Sequence, residues 1–105
     1  MYIVPPLGPG PPWEYLVEEA TLDSLLQADD TFVALIGADA GNLWAVPADE
    51  AAFLIEGRVP QLDAEGRRAW HFYLASQGGR WLLRAESNPS DSVDATPFHN
   101  VPPGG

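Results

Sequence analysis

Polar and apolar residues alternate along WEYLVEE, the first stretch of the chain whose pattern predicts a regular element. Trp13, Tyr15 and Val17 lie on one side of the alternation and two glutamates lie on the other, which is typical of a half-buried strand. Leucines at helical spacing follow in TLDSLL, with Thr21 at the position of an N-cap. One continuous helix over residues 13–28 is the competing interpretation. We favour a strand and then a helix, because a continuous helix would scatter its acidic residues around the apolar stripe.

The rest of the pattern predicts two hairpins and a second short helix. The β-rich stretches TFVALIGA and LWAV flank the turn DAGN, so residues 31–47 are expected to form a hairpin that ends at Pro47. ADEAAFLIEG then predicts a short helix that is capped by Asp49 and stopped by Gly57. The clearest element is the hairpin made by RAWHFYLAS and RWLLRAES, which QGG joins, because bulky apolar residues alternate with His and Tyr along its first strand.

The two ends of the chain differ from this middle part in composition. Five prolines lie within the first twelve residues, and the last stretch is rich in Pro, Gly and Ser. Proline fixes φ and lacks an N–H group, so we expect extended segments without internal hydrogen bonds. The predicted organisation is an arm over residues 1–12, a single domain over 13–87 and a second arm over 88–105. The predicted fold class is α+β: a small antiparallel sheet of about five strands with one or two short helices.

Such arms need a surface on which to lie. Ordering a backbone costs roughly 1–2 kcal/mol per residue, and an arm without internal hydrogen bonds must offset this cost through its apolar side chains. The surface is either the sheet of the same chain or a neighbouring subunit, and we favour the neighbour. The predicted partner contacts are Tyr2, Ile3, Val4, Leu7, Trp13, Phe98 and Val101.

Composition excludes several classes of protein. A chain of 105 residues with 46% hydrophobic residues and four tryptophans is expected to fold as one domain. It contains no cysteine, which excludes disulfides and thiolate metal or redox sites. No signal-peptide pattern and no apolar run of eighteen residues is present, so we expect synthesis in the cytoplasm and no contact with a membrane.

The net charge of −10 is unevenly distributed. Residues 1–57 hold ten acids and no base, and all five basic residues are arginines within 58–84. An acidic surface repels phosphate backbones, so we expect no direct binding of nucleic acid, whereas a basic protein partner would be attracted. Solubility is the simpler explanation of the same charge. The predicted acidic face comprises Glu14, Glu18, Glu19, Asp23, Asp29 and Asp30.

The sequence contains no recognisable metal or cofactor motif. His71 and His99 lie far apart and lack the spacing of zinc ligands. Asp29, Asp30 and Asp39 offer oxygen ligands for a hard cation, but such residues are more typical of solvated turns. We therefore predict no metal site and no cofactor.

Catalytic residues are not predicted either. Ser76 and His71 are the best nucleophile and base by sequence, but they differ in strand parity and so point to opposite faces of a sheet. Glu14 and Glu18 would share a solvent-exposed face, where a carboxylate makes a poor general acid at neutral pH. An enzyme would need an apolar pocket that converges on His71.

Two stretches resemble known sequences. WEYLVEE and the leucine-bearing helix after it resemble the start of small α+β domains of unknown function that begin Trp-Glu-Tyr, without the glycine-tryptophan step expected after the helix. That resemblance implies a fold and no activity. LLQADDTFVALIG resembles the opening segments of phage tail-completion proteins. Neither resemblance assigns the chain to a family.

These features predict a non-enzymatic structural or interaction subunit of a larger assembly. Its most specific form is a small bacteriophage virion protein, in the capsid or in the head-to-tail or tail region, that clasps neighbouring subunits or copies of itself through its arms. Such a protein would be located in the virion. The alternative is an acidic immunity protein or inhibitor that places the carboxylates of residues 14–30 in a basic site of its partner.

Overall fold

The computed structural model describes residues 2–8, 12–28, 31–37 and 41–100. Two helices and eight strands form an α+β fold, as predicted. In chain order the elements are β1 (Tyr2–Val4), β2 (Trp13–Glu18), α1 (Glu19–Leu26), β3 (Phe32–Ile36), β4 (Leu43–Pro47), α2 (Ala48–Ile55), β5 (Gln61–Leu62), β6 (Arg68–Gln77), β7 (Arg80–Ala85), β8 (Asn88–Asp94) and a 3-10 turn (Thr96–Phe98).

The larger sheet is antiparallel and has five strands. Its order is β2-β6-β7-β8, and the short β5 also pairs with β6. The predicted hairpin is confirmed: β6 and β7 pair through Leu74 opposite Leu83, and the turn between them is made by Gly78 and Gly79. Both glycines have positive φ, at 60° and 80°, which matches the tight turn that joins twisted strands.

The smaller sheet has three strands in the order β1-β3-β4. The hairpin predicted for residues 31–47 is confirmed as β3 and β4, but it belongs to this separate sheet and does not extend the larger one. β1 runs parallel to β3, with Ile3 opposite Ala34. Because β3 and β4 lie in the smaller sheet, the five strands of the larger sheet include two others, β5 and β8. The pattern of the sequence does not predict these two strands.

One hydrophobic core lies between the two sheets and the two helices. The predicted alternation in β2 buries Trp13, Tyr15 and Val17, while α1 contributes Leu22 and α2 contributes Leu54. The Tyr15 hydroxyl donates a hydrogen bond of 3.0 Å to the main-chain carbonyl of Ile36, which ends β3. A single polar contact thus links a strand of each sheet.

We expect Tyr15→Phe to lower the free energy of unfolding by about 1 kcal/mol, the typical net contribution of an internal hydrogen bond. Burial raises the pKa of Tyr15, so its hydroxyl is protonated and donates at neutral pH. Urea denaturation followed by circular dichroism measures this decrease in the free energy of unfolding. Tyr73→Phe is the control, because the hydroxyl of this half-buried tyrosine makes no hydrogen bond within the described residues. Equal stability of the two variants would contradict the proposed link.

The helix starts differ from the prediction. The strand-then-helix interpretation of residues 13–28 is confirmed, but β2 runs directly into α1, whose N-cap is Glu18 and not Thr21. α2 likewise begins at Ala48, so Asp49 lies inside its first turn and is not the cap. A carboxylate in the first turn is still favourable, because it faces the positive end of the helix dipole.

Both predicted arms enter the fold within the described residues. β1 joins the smaller sheet and β8 completes the larger one, and each buries a valine, Val4 and Val93. The predicted boundaries after residues 12 and 87 stay predictions, and residues 2–4 and 88–94 lie in strands. The physical reason is that neighbouring strands supply hydrogen-bond partners that the composition does not reveal. A proline is tolerated in β8 because this strand lies at a sheet edge.

Candidate functional site

Three large apolar side chains near the N-terminus are exposed. Tyr2, Ile3 and Leu7 are 40%, 59% and 57% exposed, and we call these three residues the N-terminal patch. All three are among the predicted partner contacts. β1 lies at the edge of the smaller sheet, and no strand of the described residues pairs with its outer side. The patch therefore combines apolar side chains with backbone groups that a further strand can use.

The other predicted partner contacts are not grouped with this patch. Val4 and Trp13 are 3% and 6% exposed and belong to the core of the chain itself. Phe98 is half-buried and packs against that core. Val101 lies outside the described residues. The segment that follows β1 is tied down as well, because the Leu7 N–H donates a hydrogen bond of 2.8 Å to the Glu14 carbonyl of β2.

Two of the six residues of the predicted acidic face form ion pairs with arginines of the same chain. Glu18 lies 3.2 Å from Arg67, and Glu19 lies 3.2 Å from Arg68. These pairs are solvent-exposed, and such pairs contribute roughly 0–1 kcal/mol. Their main consequence is that the charge of both carboxylates is compensated locally. Of the remaining members, Glu14 contacts His71 and Asp23 is exposed on α1, whereas Asp29 and Asp30 lie outside the described residues.

A histidine between two carboxylates is a feature that the sequence does not predict. His71 of β6 places Nε2 3.0 Å from Glu14 Oε1 and Nδ1 3.1 Å from Glu86 Oε2. The Tyr73 ring stacks on the imidazole with the ring centres 4.7 Å apart. The side chain of His71 is only 16% exposed, while both glutamates are about half exposed. Glu14 of β2 and Glu86, which directly follows β7, thereby contact the same histidine of β6.

This arrangement does not suit general base catalysis. Both ring nitrogens of His71 already face a carboxylate oxygen, so a substrate would have to displace Glu14 or Glu86 before it could contact either nitrogen. Ser76 lies opposite Trp81, at a strand position of the other parity, as predicted. A hollow of about 160 Å³ beside His71 is lined partly by the polar residues Gln61 and Glu86. Its apolar lining comes from Val59, Ala69 and Trp70.

The second histidine belongs to an aromatic cluster. His99 stacks on the buried Trp44 with ring centres 4.8 Å apart, and Trp81 meets Trp44 edge-on at the same distance. The Nε2 atom of His99 lies 2.8 Å from the side-chain oxygen of Asn42. Both histidines thus have structural contacts, and within the described residues no group of three His, Asp or Glu side chains could hold a metal ion.

Two further findings complete the description of these surfaces. Neither helix in the described part of the chain has the length and apolar character needed to cross a bilayer. Comparison with known protein families, with curated proteins and with solved structures found no match to this chain.

Proposed function

We propose that this chain is a non-enzymatic interaction subunit of a larger protein assembly and that a neighbouring subunit docks on the N-terminal patch. The supporting observation is the exposure of Tyr2 and Ile3 on an edge strand and of Leu7 just after it. Scattered exposed apolar residues are ordinary, but several within one short segment are typical of protein contact surfaces.

The edge strand suggests how a partner binds. An extended segment of the neighbour adds to the outer side of β1, so that backbone hydrogen bonds and apolar contacts act together. Pro5 and Pro6 end the strand, which keeps this pairing short. Most of the affinity must then come from side chains, each of which contributes roughly 1.5–3 kcal/mol when fully buried. A second copy of the chain satisfies the same geometry if a two-fold axis places β1 beside its counterpart.

The packing of the ends changes the form of this proposal. The chain supplies its own partners for residues 2–4 and 88–94, so no neighbour is required to order them. Docking on the N-terminal patch therefore does not depend on residues 2–4 and 88–94 being loose in the isolated subunit. The more specific assignment to a bacteriophage virion is supported by the sequence pattern alone, and mass spectrometry of purified virions tests it.

The inhibitor alternative is less well supported. A basic partner would have to compete with Arg67 and Arg68 for Glu18 and Glu19, and with His71 for Glu14. Three carboxylates of the predicted acidic face would thus have to exchange existing contacts, although each exposed arginine pair among these contributes only roughly 0–1 kcal/mol. The N-terminal patch requires no such exchange.

Site-specific photo-crosslinking tests the proposed function. We expect a photoreactive phenylalanine analogue in place of Ile3 to capture a protein in cells that naturally make the chain, because this side chain would lie inside the interface. The control carries the analogue at Leu62, which is also exposed, at 68%, but lies on β5 of the larger sheet. The double substitution Tyr2→Ser and Leu7→Ser, made in the chain that carries the analogue at position 3, should reduce the yield of crosslinked product at least fivefold. Equal capture from positions 3 and 62 would contradict the proposal.

A further inference from the structure

A shallow groove of about 470 Å³ lies between α2 and the segment formed by β8 and the 3-10 turn. Its apolar surface is provided by Phe53, Val93 and Phe98. Phe53 is 52% exposed, whereas Ala51 and Leu54 on the same helix are buried in the core. Phe53 thus presents an aromatic surface to the groove that the packing of the domain does not use.

The rim of this groove is acidic. Glu50 precedes Phe53 by one helical turn on α2, and Asp94 lies at the end of β8 on the opposite side. Hydrogen bonds from Thr96 lower the pKa of Asp94, so its carboxylate is charged at neutral pH. The nearest base is Arg80, whose contact with Asp94 is long, at 3.8 Å, and exposed. No base lies within ion-pair distance of Glu50 in the described part of the chain.

We propose that this groove binds an extended segment of a partner protein in which a large apolar residue is flanked by arginines or lysines. The apolar residue covers Phe53 and Phe98, and the flanking bases face Glu50 and Asp94. The choice of occupant follows from charge complementarity, because the lining contains two acids and no base. The same charge repels phosphate groups, which disfavours nucleic acid and anionic lipid as occupants.

This surface is separate from the proposed function. It shares no residue with the N-terminal patch, and it selects its partner by charge, which the apolar patch does not. An assembly subunit with both surfaces contacts two different segments. Affinity for an isolated segment should be modest and sensitive to salt, because the charges lie on an exposed rim.

Binding of short peptides to the full chain tests this inference. The probe is a nine-residue Gly/Ser peptide with Arg-Phe-Arg at its centre, and the comparison peptides carry Glu-Phe-Glu or Arg-Ser-Arg. We expect the Arg-Phe-Arg peptide to shift the amide NMR signals of Phe53, Asp94 and Phe98 and to bind at least tenfold more tightly than either comparison peptide. An increase in salt from 50 to 500 mM should weaken its binding at least fivefold.

Two charge reversals on one helix provide the matched variants. Glu50→Lys should weaken binding of the Arg-Phe-Arg peptide at least fivefold, whereas Glu56→Lys, exposed at the far end of α2 and outside the groove, should change it less than twofold. Tyr2→Ser with Leu7→Ser should leave peptide binding unchanged, which separates this test from that of the N-terminal patch. The inference is overturned by shifts that map elsewhere, by equal binding of the acidic peptide, or by absence of binding at 5 mM peptide.

Discussion

Trp44→Ala should lower the free energy of unfolding by about 3–5 kcal/mol, the range measured when a large aromatic residue is removed from a core. Trp44 is fully buried in β4 of the smaller sheet. Its ring contacts Trp81 of the larger sheet and His99, which follows the 3-10 turn. Alanine would remove contacts with both sheets and leave a cavity. Because small domains are stable by only about 5–15 kcal/mol, the variant would be marginally folded.

Urea denaturation measures this decrease in the free energy of unfolding directly. Near-ultraviolet circular dichroism reports on the packing of Trp44 with Trp81 and His99. Trp44→Phe retains part of the aromatic volume, so its loss should be roughly half as large. Trp81→Ala is the control for loss of the edge-on contact, because Trp81 is only half-buried and its removal leaves a more open site. A loss below about 1 kcal/mol for Trp44→Ala would show that this tryptophan does not pack as described, since well-packed core residues cost more to truncate.

Asn88→Ala should lower the free energy of unfolding by about 2–3 kcal/mol, because it leaves buried polar groups without partners. Asn88 is the first residue of β8 and is only 2% exposed. Its amide nitrogen donates to the Leu54 carbonyl at 3.1 Å and to Asp91 Oδ2 at 3.0 Å, and its oxygen accepts from Arg58 at 3.1 Å. One side chain thus fixes the end of α2 to the start of the last strand.

Denaturation of Asn88→Ala should be compared with that of Ser90→Ala, which changes an exposed residue of the same strand. The serine variant should differ from the original chain by less than about 0.5 kcal/mol, as surface substitutions usually do. Equal effects of the two substitutions would mean that β8 is not anchored through Asn88. Residues 88–94 would then behave like the arm that their composition suggests.

Local patterns account for the elements that could be predicted from the sequence. The alternation along β2 and β6 reflects one buried and one exposed face, which neighbouring residues already reveal, whereas β3 and β4 were predicted from short β-rich apolar stretches whose three central residues are buried. β1 and β8, each at an edge of its sheet, could not be predicted in this way. The prolines in or next to these strands indicate extended chain, but whether extended chain joins a sheet depends on residues far away, such as Val33 opposite Tyr2.

The surfaces were predictable only in part. Apolar residues near the N-terminus indicated a contact surface, but the sequence could not separate the exposed Ile3 from the buried Val4. The contact between His71 and Glu14 joins residues 57 positions apart, and only the register of β2 on β6 brings them together. The groove beside Phe53 was missed for the same reason, because β8 forms its other side.

The order in which the strands enter the two sheets has a consequence for folding kinetics. β1 belongs to the smaller sheet and β2 to the larger, β3 and β4 return to the smaller, and all later strands join the larger. The segment from β1 to β4 contains the whole smaller sheet, but β2 within it pairs only with β6 from the second half of the chain. Such non-local pairing slows folding, because long loops close before any contact forms. A cut after β4 would separate β2 from β6, so we expect the larger sheet to be completed only when the two fragments recombine.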